Sequence, residues 1–257
     1  MTRLEAYAKV TLSLRIIGIR SDGFHELEAL TVSATQPHDV LVLADAEETI
    51  VELSGPFAAG VPTGDANLVT RALHLLRRPM RVELYKGIPA GAGIGGGSAD
   101  AAAVLHALGG TIEHGAALGS DVPFSMQRSP AWMRGRGEAL EPVSDLAPLA
   151  LAIAAPEFGC STPAVYRAWD DLGGPRSDRV VDAPDGYPGP FANDLEPAAE
   201  RVEPRLREFR QRLEDTLQRP ALLCGSGSAY AAWFDDPAAC DDAATRATRA
   251  LDARVWS

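Results

Sequence analysis

Seven consecutive positions, Gly91 to Gly97, contain five glycines and lead directly into the alanine-rich stretch Ala99 to Leu108. Glycine adopts left-handed torsions freely and lets a ligand approach the backbone N–H groups closely. The alanine-rich stretch predicts a helix, whose first turn has unpaired N–H donors and the positive end of the helix dipole. The run therefore predicts a phosphate-binding loop, best suited to an oligophosphate. A glycine-rich turn without a ligand is the alternative, but it does not require five glycines.

Two other nucleotide-binding patterns compete for this loop. Residues 91–96 fit G-x-G-x-x-G, which is typical of dinucleotide-binding Rossmann units. A Rossmann unit needs a strand that runs straight into the first glycine and an acidic residue that closes the next strand. Here Pro89 interrupts the approach, and no clear strand follows the helix. A Walker A loop is excluded because the chain has no Gly-Lys-Ser/Thr sequence.

Charge and cysteine content limit the binding partners and the cellular compartment that we expect for this protein. A formal net charge of -11 argues against a surface that binds nucleic acid or anionic lipid. The cysteines, Cys160, Cys224 and Cys240, are far apart and lack metal-type spacing, so we expect buried thiols in a reducing cytosol. No signal-type segment or membrane-length apolar run is present, which predicts a cytoplasmic protein without a membrane partner. The sequence leaves a homodimer open.

Only two of the 24 lysine and arginine residues are lysines, Lys9 and Lys86. Where arginine has replaced lysine elsewhere, a retained lysine marks a position that needs a compact ammonium group. We expect such a role for Lys9. For Lys86, an ordinary surface lysine is an equal alternative.

The hydrophobic pattern predicts mixed α and β structure in two domains. The proline-punctuated stretch Pro142 to Pro148 separates an expected N-terminal domain over 1–147 from a C-terminal domain over 148–257. Gly173 to Pro190 is predicted to be a mobile loop. Strands are predicted over 7–19, 40–43, 50–53, 81–85, 149–154, 221–224 and 229–234, with a hairpin over 131–140 and a last short strand; helices are predicted over 67–76 (capped by Asp65), 99–108, 162–172, 203–217 and from Pro237.

Three segments, in the right order, resemble the signatures of the GHMP kinase superfamily, which phosphorylates small metabolites such as galactose, homoserine and mevalonate. Pro89 to Asp100 looks like the central signature, Ala6 to Leu12 like the N-terminal Pro-Ala-Lys-x-Asn-Leu signature, and Leu223 to Ser228 like the C-terminal glycine motif. The resemblance implies an α+β fold of two domains, one ribosomal-protein-S5-like and one ferredoxin-like. It also implies ATP as co-substrate and Mg²⁺, for which no residue is assigned as ligand.

Further segments are similar to the branch of this superfamily that acts on a cytidine-diphosphate alcohol. They are Arg20 to Leu27, Leu118 to Phe124, Ser161 to Tyr166 and Asn193 to Glu196. The resemblance implies transfer of the γ-phosphoryl group of ATP to a hydroxyl of that small molecule. A kinase of another small alcohol, and a nucleotide-binding regulatory paralogue that has lost the chemistry, are the alternatives.

The resemblance also implies roles for individual residues. Asp121 would accept the proton of the substrate hydroxyl, and Lys9 would pair with Asp121 and neutralise the charge on the transferred group. From the residues alone, a helix or turn cap is the favoured role for Asp121. The implied ATP-binding residues are Pro89, Ala90, Gly91, Ala92, Gly93, Ile94, Gly95, Gly96, Gly97 and Ser98, with Asn67 and Lys86 near adenine.

An aromatic pocket for cytosine is the second implied site. His25 offers ring nitrogens to a pyrimidine edge, and Phe24 and Tyr166 offer stacking faces. A structural histidine and a hydrophobic staple of the helix that follows Thr162 are the alternatives for His25 and Tyr166. The implied substrate-binding residues are Thr11, Phe24, His25, Thr162, Tyr166, Gly225, Ser226 and Gly227.

The chain departs from the family pattern in three residues and two connections. Tyr7 replaces a usual proline, Thr11 a usual asparagine, and Phe24 a frequent tyrosine. Because Thr11 is shorter than asparagine, we expect water to fill the gap beside the substrate hydroxyls. The connections Arg77 to Met80 and Thr111 to Leu118 are short. A misplacement of ~1 Å costs on the order of 100-fold in rate, so the second connection bears on whether bound ATP is used.

Overall fold

Two long antiparallel strands organise the first half of the chain. In the computed structural model, which describes residues 1–144 and 146–257, β1 (Thr2–Ile19) pairs with β2 (His25–Asp45) along most of its length. Every residue from Ala8 to Leu14 is buried, and Ala8, Val10, Leu12 and Leu14 pack in apolar clusters. The register shifts between Tyr7 and Lys9 and again between Thr11 and Ser13. Such bulges re-aim side chains, and here they flank two residues of the predicted site.

Four shorter strands complete a six-stranded sheet around β2. One end of β2 pairs with β4 (Met80–Tyr85), and the other end pairs with β5 (Ala131–Gly135). β3 (Ile50–Ser54) lies parallel to β4, and β6 (Ala139–Pro142) closes the predicted hairpin with β5. The predicted site residues of β1 are held in place in this sheet by the long pairing of β1 with β2.

Four helices accompany this sheet, and the first corrects a predicted cap. They are α1 (Leu68–Leu76), α2 (Gly96–Ala107), α3 (Ile112–Leu118) and α4 (Val122–Gln127). The Asn67 side chain caps α1 by accepting a hydrogen bond from the Val69 amide at 2.8 Å. The predicted cap Asp65 lies one turn earlier, in the 3₁₀ helix Gly64–Ala66.

The second half of the chain forms a four-stranded antiparallel sheet in the order β10-β7-β9-β8. Its β-α-β-β-α-β connectivity is ferredoxin-like, as expected, with two extra helices in the first crossover. The elements are β7 (Ala150–Pro156), α5 (Thr162–Asp171), α6 (Glu196–Val202), α7 (Arg205–Leu217), β8 (Leu222–Leu223), β9 (Tyr230–Phe234), α8 (Pro237–Ala250) and β10 (Ala253–Trp256).

The two halves share a core across the predicted domain boundary. The first sheet ends at Pro142 and the second begins at Ala150, and Asp145 between them lies outside the described residues. Buried residues of both halves pack in the same apolar clusters, for example Leu14 with Ala152. The predicted division at 147 therefore remains a prediction. Within the described residues, no helix is long and apolar enough to cross a membrane.

The connection from 173 to 190, predicted to be mobile, is anchored at two points. The Ser177 amide donates to Asp194 Oδ1 at 3.0 Å. Val181 and Phe191 exchange two backbone hydrogen bonds. The anchoring at Asp194 matters because this carboxylate is fully buried and also bonds to β1 through Arg15 and the Ile16 amide.

A buried ion cluster connects β2, β4 and the start of α2. Lys86 Nζ donates to Oδ2 of Asp39 and, at 2.6 Å, to Oδ2 of Asp100. Asp39 also accepts from the amides of Gly87 and Ile88, at 2.6 and 2.8 Å. One ammonium compensates one carboxylate, so the second carboxyl is favoured in its neutral form. Burial, opposed by Lys86 and reinforced by Asp39, raises the pKa of Asp100 to about 8.

We expect the free energy of unfolding to fall less steeply with rising pH in Asp100→Asn than in the wild-type protein. In the unfolded chain this carboxyl ionises near its ordinary value of 3.8, whereas the folded chain keeps the proton to about 8. The folded state therefore binds more protons in that interval, and the free energy of unfolding falls as pH rises through it. The neutral amide removes this contribution, which urea unfolding at several pH values between about 4 and about 8 measures.

Glu196 serves as an internal reference for that experiment. Burial raises its pKa to about 7, so the variant retains a slope of the same sign below that pH. The difference between the two proteins is clearest from about pH 7 to about pH 8. Equal slopes over that interval would contradict a neutral Asp100 in the folded protein.

Candidate active site

A cavity of about 800 Å³ lies between the two halves of the chain. The glycine-rich loop and β1 form one wall, the turn before β2 and the β5–β6 hairpin form a second, and α5 with Gly225 and Ser226 forms a third. All ten residues predicted to hold the ATP phosphates, 89–98, line this cavity. Thr11, Phe24, His25, Thr162, Tyr166, Gly225 and Ser226 line it as well, together with Lys9 and Asp121.

The glycine-rich loop folds as a cradle at the N-terminus of α2. Gly91, Gly93 and Gly95 have φ values of +76°, +77° and +75°, which L side chains rarely adopt. Gly95 is the N-cap of α2, and it has no side chain to occupy the N–H groups of the first turn. Those donors and the helix dipole are available to an anion in the cavity.

A second glycine loop from the C-terminal half packs directly against this cradle. A Cβ atom on Gly93 would lie 2.6 Å from the Cys224 carbonyl oxygen and 2.8 Å from both N and O of Gly227. The Ala229 amide donates to the Ala92 carbonyl at 2.9 Å. The backbone of the cradle therefore contacts the backbone of the second glycine loop directly, and only glycine fits at residue 93. We refer to residues 225–228 as the Gly225 loop.

Asn193 holds the Gly225 loop from behind. Its buried Nδ2 donates to the carbonyl oxygens of Leu223 and Gly225, at 2.8 and 2.6 Å, and its Oδ1 accepts from the Leu195 amide at 2.9 Å. The following residue, Asp194, donates its amide to the Leu14 carbonyl of β1 at 2.9 Å. This segment therefore ties the Gly225 loop to the strand that carries Lys9.

Lys9 and Asp121 meet at the base of the cavity. Lys9 is 7% exposed, and its Nζ lies 3.5 Å from Asp121 Oδ2 and 3.3 Å from Thr11 Oγ1. Asp121 occupies the N-cap position of α4, but its side chain makes no capping hydrogen bond within the described structure. The carboxylate is 38% exposed, so it faces the cavity as an accessible base.

His25 lies among aromatic rings at the other end of the cavity. Its ring centroid is 4.8 Å from that of Tyr166 and 5.3 Å from that of Trp169. Nε2 lies 2.8 Å from Asp170 Oδ1, and a carboxylate can only accept, so Nε2 carries a proton. In the neutral ring this leaves Nδ1 as an acceptor.

Phe24 and Tyr166 line the same cavity, but their rings contact different partners. The Arg136 guanidinium lies 4.8 Å from the centroid of the Phe24 ring, while Tyr166 packs on His25. Burial and then the charge of Asp121 raise the pKa of Tyr166, so its phenol stays protonated. Asp121 is therefore electrostatically coupled to the aromatic end of the cavity.

The remaining predicted contacts fall into two groups. Thr162 Oγ1 and Ser226 Oγ lie 2.7 Å apart and join α5 to the Gly225 loop at the cavity wall. Gly227 lies behind that wall, against the Gly93 backbone. Its contact with substrate remains a prediction.

The two residues predicted to approach adenine, Asn67 and Lys86, both use their polar groups within the protein, and their role at adenine remains a prediction. The Asn67 amide group is used for structure, since Oδ1 caps α1 and Nδ2 donates to the Pro62 carbonyl at 2.8 Å. The cavity wall there is formed by Val61, Pro62 and Leu68. Lys86 borders the cavity, but its ammonium group is engaged by the two buried carboxylates described above.

Comparison with known proteins places this geometry in a family. The model described as "GHMP kinases N terminal domain" matches residues 67–115. The 4-diphosphocytidyl-2-C-methyl-D-erythritol kinase of Paracoccus denitrificans is 38% identical over 232 residues, covering 88% of this chain and 84% of that protein. The kinase of the same name from Moorella thermoacetica is 38% identical over 256 residues, covering 88% and 87%. The chain belongs to the 4-diphosphocytidyl-2-C-methyl-D-erythritol kinase family.

Solved structures agree with this membership. A crystal structure of 4-(cytidine 5'-diphospho)-2C-methyl-D-erythritol kinase has a TM-score of 0.78 and 33% identity, covering 99% of this chain and 97% of that one. Homoserine kinase from Cytophaga hutchinsonii, at 16% identity, has a TM-score of 0.60 and covers 100% and 94%, which shows the shared fold. The predicted α+β GHMP kinase fold is confirmed.

In this member of the 4-diphosphocytidyl-2-C-methyl-D-erythritol kinase family, two cavity residues were missed from the sequence. Asp170 lies four residues after Tyr166, and this spacing puts both on one face of α5. The spacing could have identified Asp170 as a partner of the aromatic pocket. Arg136 gave no comparable signal, because a hairpin turn rich in arginine and glycine is ordinary on a surface.

We expect Gly93→Ala to weaken ATP binding far more than Gly109→Ala. The two glycines have φ values of +77° and +76°, but a Cβ at Gly109 meets nothing within 4 Å. Both variants incur the left-handed penalty of about 1 kcal/mol. Only Gly93→Ala pushes the cradle away from the Gly225 loop. Equilibrium ATP binding and denaturant unfolding of both variants test this, and equal losses would contradict the close packing of the two loops.

Proposed function

We propose that the chain transfers the γ-phosphoryl group of ATP to the 2-hydroxyl of 4-diphosphocytidyl-2-C-methyl-D-erythritol. The observation that carries the proposal is the Lys9–Asp121 pair, at 3.5 Å, in one cavity with both the phosphate cradle and the His25 pocket. A kinase needs a donor site, an acceptor site and a base between them. Residues suited to each of these three requirements line the same cavity.

ATP occupies the glycine-rich side in this proposal. Backbone N–H groups of residues 91–98 and the dipole of α2 hold the phosphates, since these donors face the cavity. Positive φ values at Gly91, Gly93 and Gly95 support this assignment, because they turn the backbone in a way that other residues resist. The adenine base lies toward Val61, Pro62 and Leu68, which supply an apolar wall.

Asp121 accepts the proton of the 2-hydroxyl as the oxygen attacks the γ-phosphorus, and the bond from that phosphorus to the β,γ-bridging oxygen breaks to release ADP. Lys9 orients the carboxylate and neutralises negative charge on the transferred group, as positioning and charge stabilisation supply most of the rate in phosphoryl transfer. Thr11 Oγ1 lies 3.3 Å from Lys9 Nζ and helps to fix that ammonium. Burial of Lys9 strengthens these interactions, because little water competes for its charge.

The cytosine base binds at the His25 end. The Asp170 carboxylate holds the proton on Nε2, so Nδ1 accepts a hydrogen bond from the exocyclic amine of cytosine. Phe24 and Tyr166 contribute apolar faces for the ring. His25 and Asp121 line the same cavity, so one bound substrate can contact both.

Mg²⁺ accompanies ATP in this proposal. No group of three or more His, Cys, Asp or Glu side chains among residues 1–144 and 146–257 could hold a metal ion. The oxygens that border the phosphate region, Ser98 Oγ and the Asp121 carboxylate, are of the type that Mg²⁺ prefers. Phosphate oxygens and water would supply most ligands, with Ser98 beside them, and the ion would neutralise phosphate charge.

We expect Asp121→Asn to lower kcat by a factor of about 100 to 10,000, the usual contribution of a general base. ATP binding stays measurable, because the cradle is formed by backbone of a different segment. Asp185→Asn, an exposed position in the 173–190 connection, makes the same charge change and serves as control. Steady-state kinetics with a separate ATP-binding measurement give both values, and full turnover of Asp121→Asn would remove Asp121 from the mechanism.

Coupled ADP release with a panel of alcohols tests the reaction itself. We expect release with the cytidylated alcohol, and little with mevalonate, homoserine or no alcohol, since these lack a base for the His25 pocket. Preferred turnover of an uncytidylated alcohol would overturn the substrate assignment. ATP binding without ADP release on any alcohol would instead indicate a nucleotide-binding regulator.

A further inference from the structure

Most ionic groups that line the cavity are already paired. Lys9 pairs with Asp121, Lys86 with Asp39 and Asp100, and His25 with Asp170. Two guanidinium groups of the cavity wall, those of Arg136 and Arg167, have no carboxylate within ion-pair distance among residues 1–144 and 146–257. In a chain of formal net charge -11, two such cations at one cavity are available to an anionic ligand.

Arg136 is the better preorganised of the two. It is half-buried, and its guanidinium lies 4.8 Å from the centroid of the Phe24 ring, a cation–π distance. Its backbone amide donates to Glu138 Oε2 at 2.7 Å, which fixes the turn of the hairpin. Arg167 is exposed on α5. A group held in place before binding loses less entropy when it binds.

The hairpin turn that carries Arg136 has neighbours in two parts of the cavity. On one side it contacts Phe24, next to His25 in the aromatic end. On the other, the hairpin turn packs near Ser120, the residue before Asp121, since a Cβ on Gly137 would lie 3.4 Å from Ser120 Cβ. The part of a cytidine-diphosphate alcohol that connects its base to its reacting hydroxyl is the diphosphate.

We infer that the Arg136 guanidinium binds the diphosphate of the cytidine-diphosphate substrate and so sets the preference for a phosphorylated cytidine ligand. The inference rests on the proposed function for the identity of that substrate. Guanidinium presents a planar fork of N–H donors that matches phosphate oxygens. The guanidinium lies 4.8 Å from the centroid of the Phe24 ring, and this contact holds it at the cavity wall.

Equilibrium binding of cytidine and of CDP tests the inference without turnover. A saturating non-hydrolysable ATP analogue is present, so that CDP cannot occupy the cradle. We expect wild-type protein to bind CDP about 10- to 100-fold more tightly than cytidine, the range for hydrogen bonds to a charged group. Arg136→Gln should bring that ratio close to one, with cytidine affinity little changed, and Arg136→Lys should restore part of it. The KM for the cytidylated alcohol should rise by a similar factor.

Two matched variants control for the loss of one positive charge. Arg134→Gln lies two residues earlier in the hairpin, where Arg134 pairs with Glu28 at 2.8 Å and Glu141 at 3.2 Å. Arg167→Gln removes the second guanidinium of the cavity wall. Both should keep the wild-type ratio of CDP to cytidine affinity, and loss of the ratio in Arg167→Gln alone would overturn the choice of Arg136.

Other outcomes separate the inference from the proposed function. If Arg136→Gln weakens cytidine and CDP equally, Arg136 acts only through Phe24, and the inference is wrong. An unchanged ratio in Arg136→Gln is equally decisive against it. If the ratio collapses as expected but wild-type protein fails to phosphorylate the cytidylated alcohol, the diphosphate site stands and the proposed reaction fails.

Discussion

The contact between the two glycine loops is the constraint on which the rest of the site depends. Where Gly93 meets Cys224 and Gly227, backbone atoms approach too closely for any side chain. A contact between backbone atoms cannot adjust by a change of rotamer, so it fixes the relative position of the two loops closely. Asn193 extends that rigidity, because its amide holds the Gly225 loop while its neighbour Asp194 bonds to β1. The phosphate cradle, the second glycine loop and the strand that carries Lys9 therefore form one connected unit.

Electrostatics within this unit follow from burial. The Lys9 ammonium is buried at the edge of the cavity, where it lies 3.3 Å from Thr11 Oγ1 and 3.5 Å from Asp121 Oδ2. Lys86 shows the opposite use of a lysine. Two carboxylates surround its ammonium, and the resulting cluster favours a proton on Asp100. The two lysines of the chain thus lie in different surroundings: Lys9 faces the cavity beside Asp121, and Lys86 supports α2 through Asp100.

Local motifs could be predicted from the sequence, whereas contacts between distant segments could not. The cradle was predictable because five glycines before a helix cost backbone entropy that a turn without a ligand would not require. The alternating strands were predictable because each buries one face. The short helices α3, α4 and α6 were missed, as six or seven residues carry too little periodicity to distinguish. The capping role of Asn67 was not predicted, because capping and ligand binding use the same amide group. The pairing of Lys86 with Asp39 joins residues 47 positions apart, and no local pattern signals it.

The short connection before Asp121 is ordered by tertiary packing. Residues 112–118 fold as α3, whose N-terminus is closed by reciprocal hydrogen bonds between Thr111 and His114. α3 then packs on α4 so closely that a Cβ on Gly115 would lie 3.0 Å from Met126 Sδ and 3.3 Å from Val122 Cγ1. Two short helices in contact leave the intervening turn little freedom, and that turn carries Asp121. A longer connection would have to be ordered by other contacts. Here the short connection itself limits where the Asp121 carboxylate can lie. The distance of 3.5 Å to Lys9 follows from this restriction.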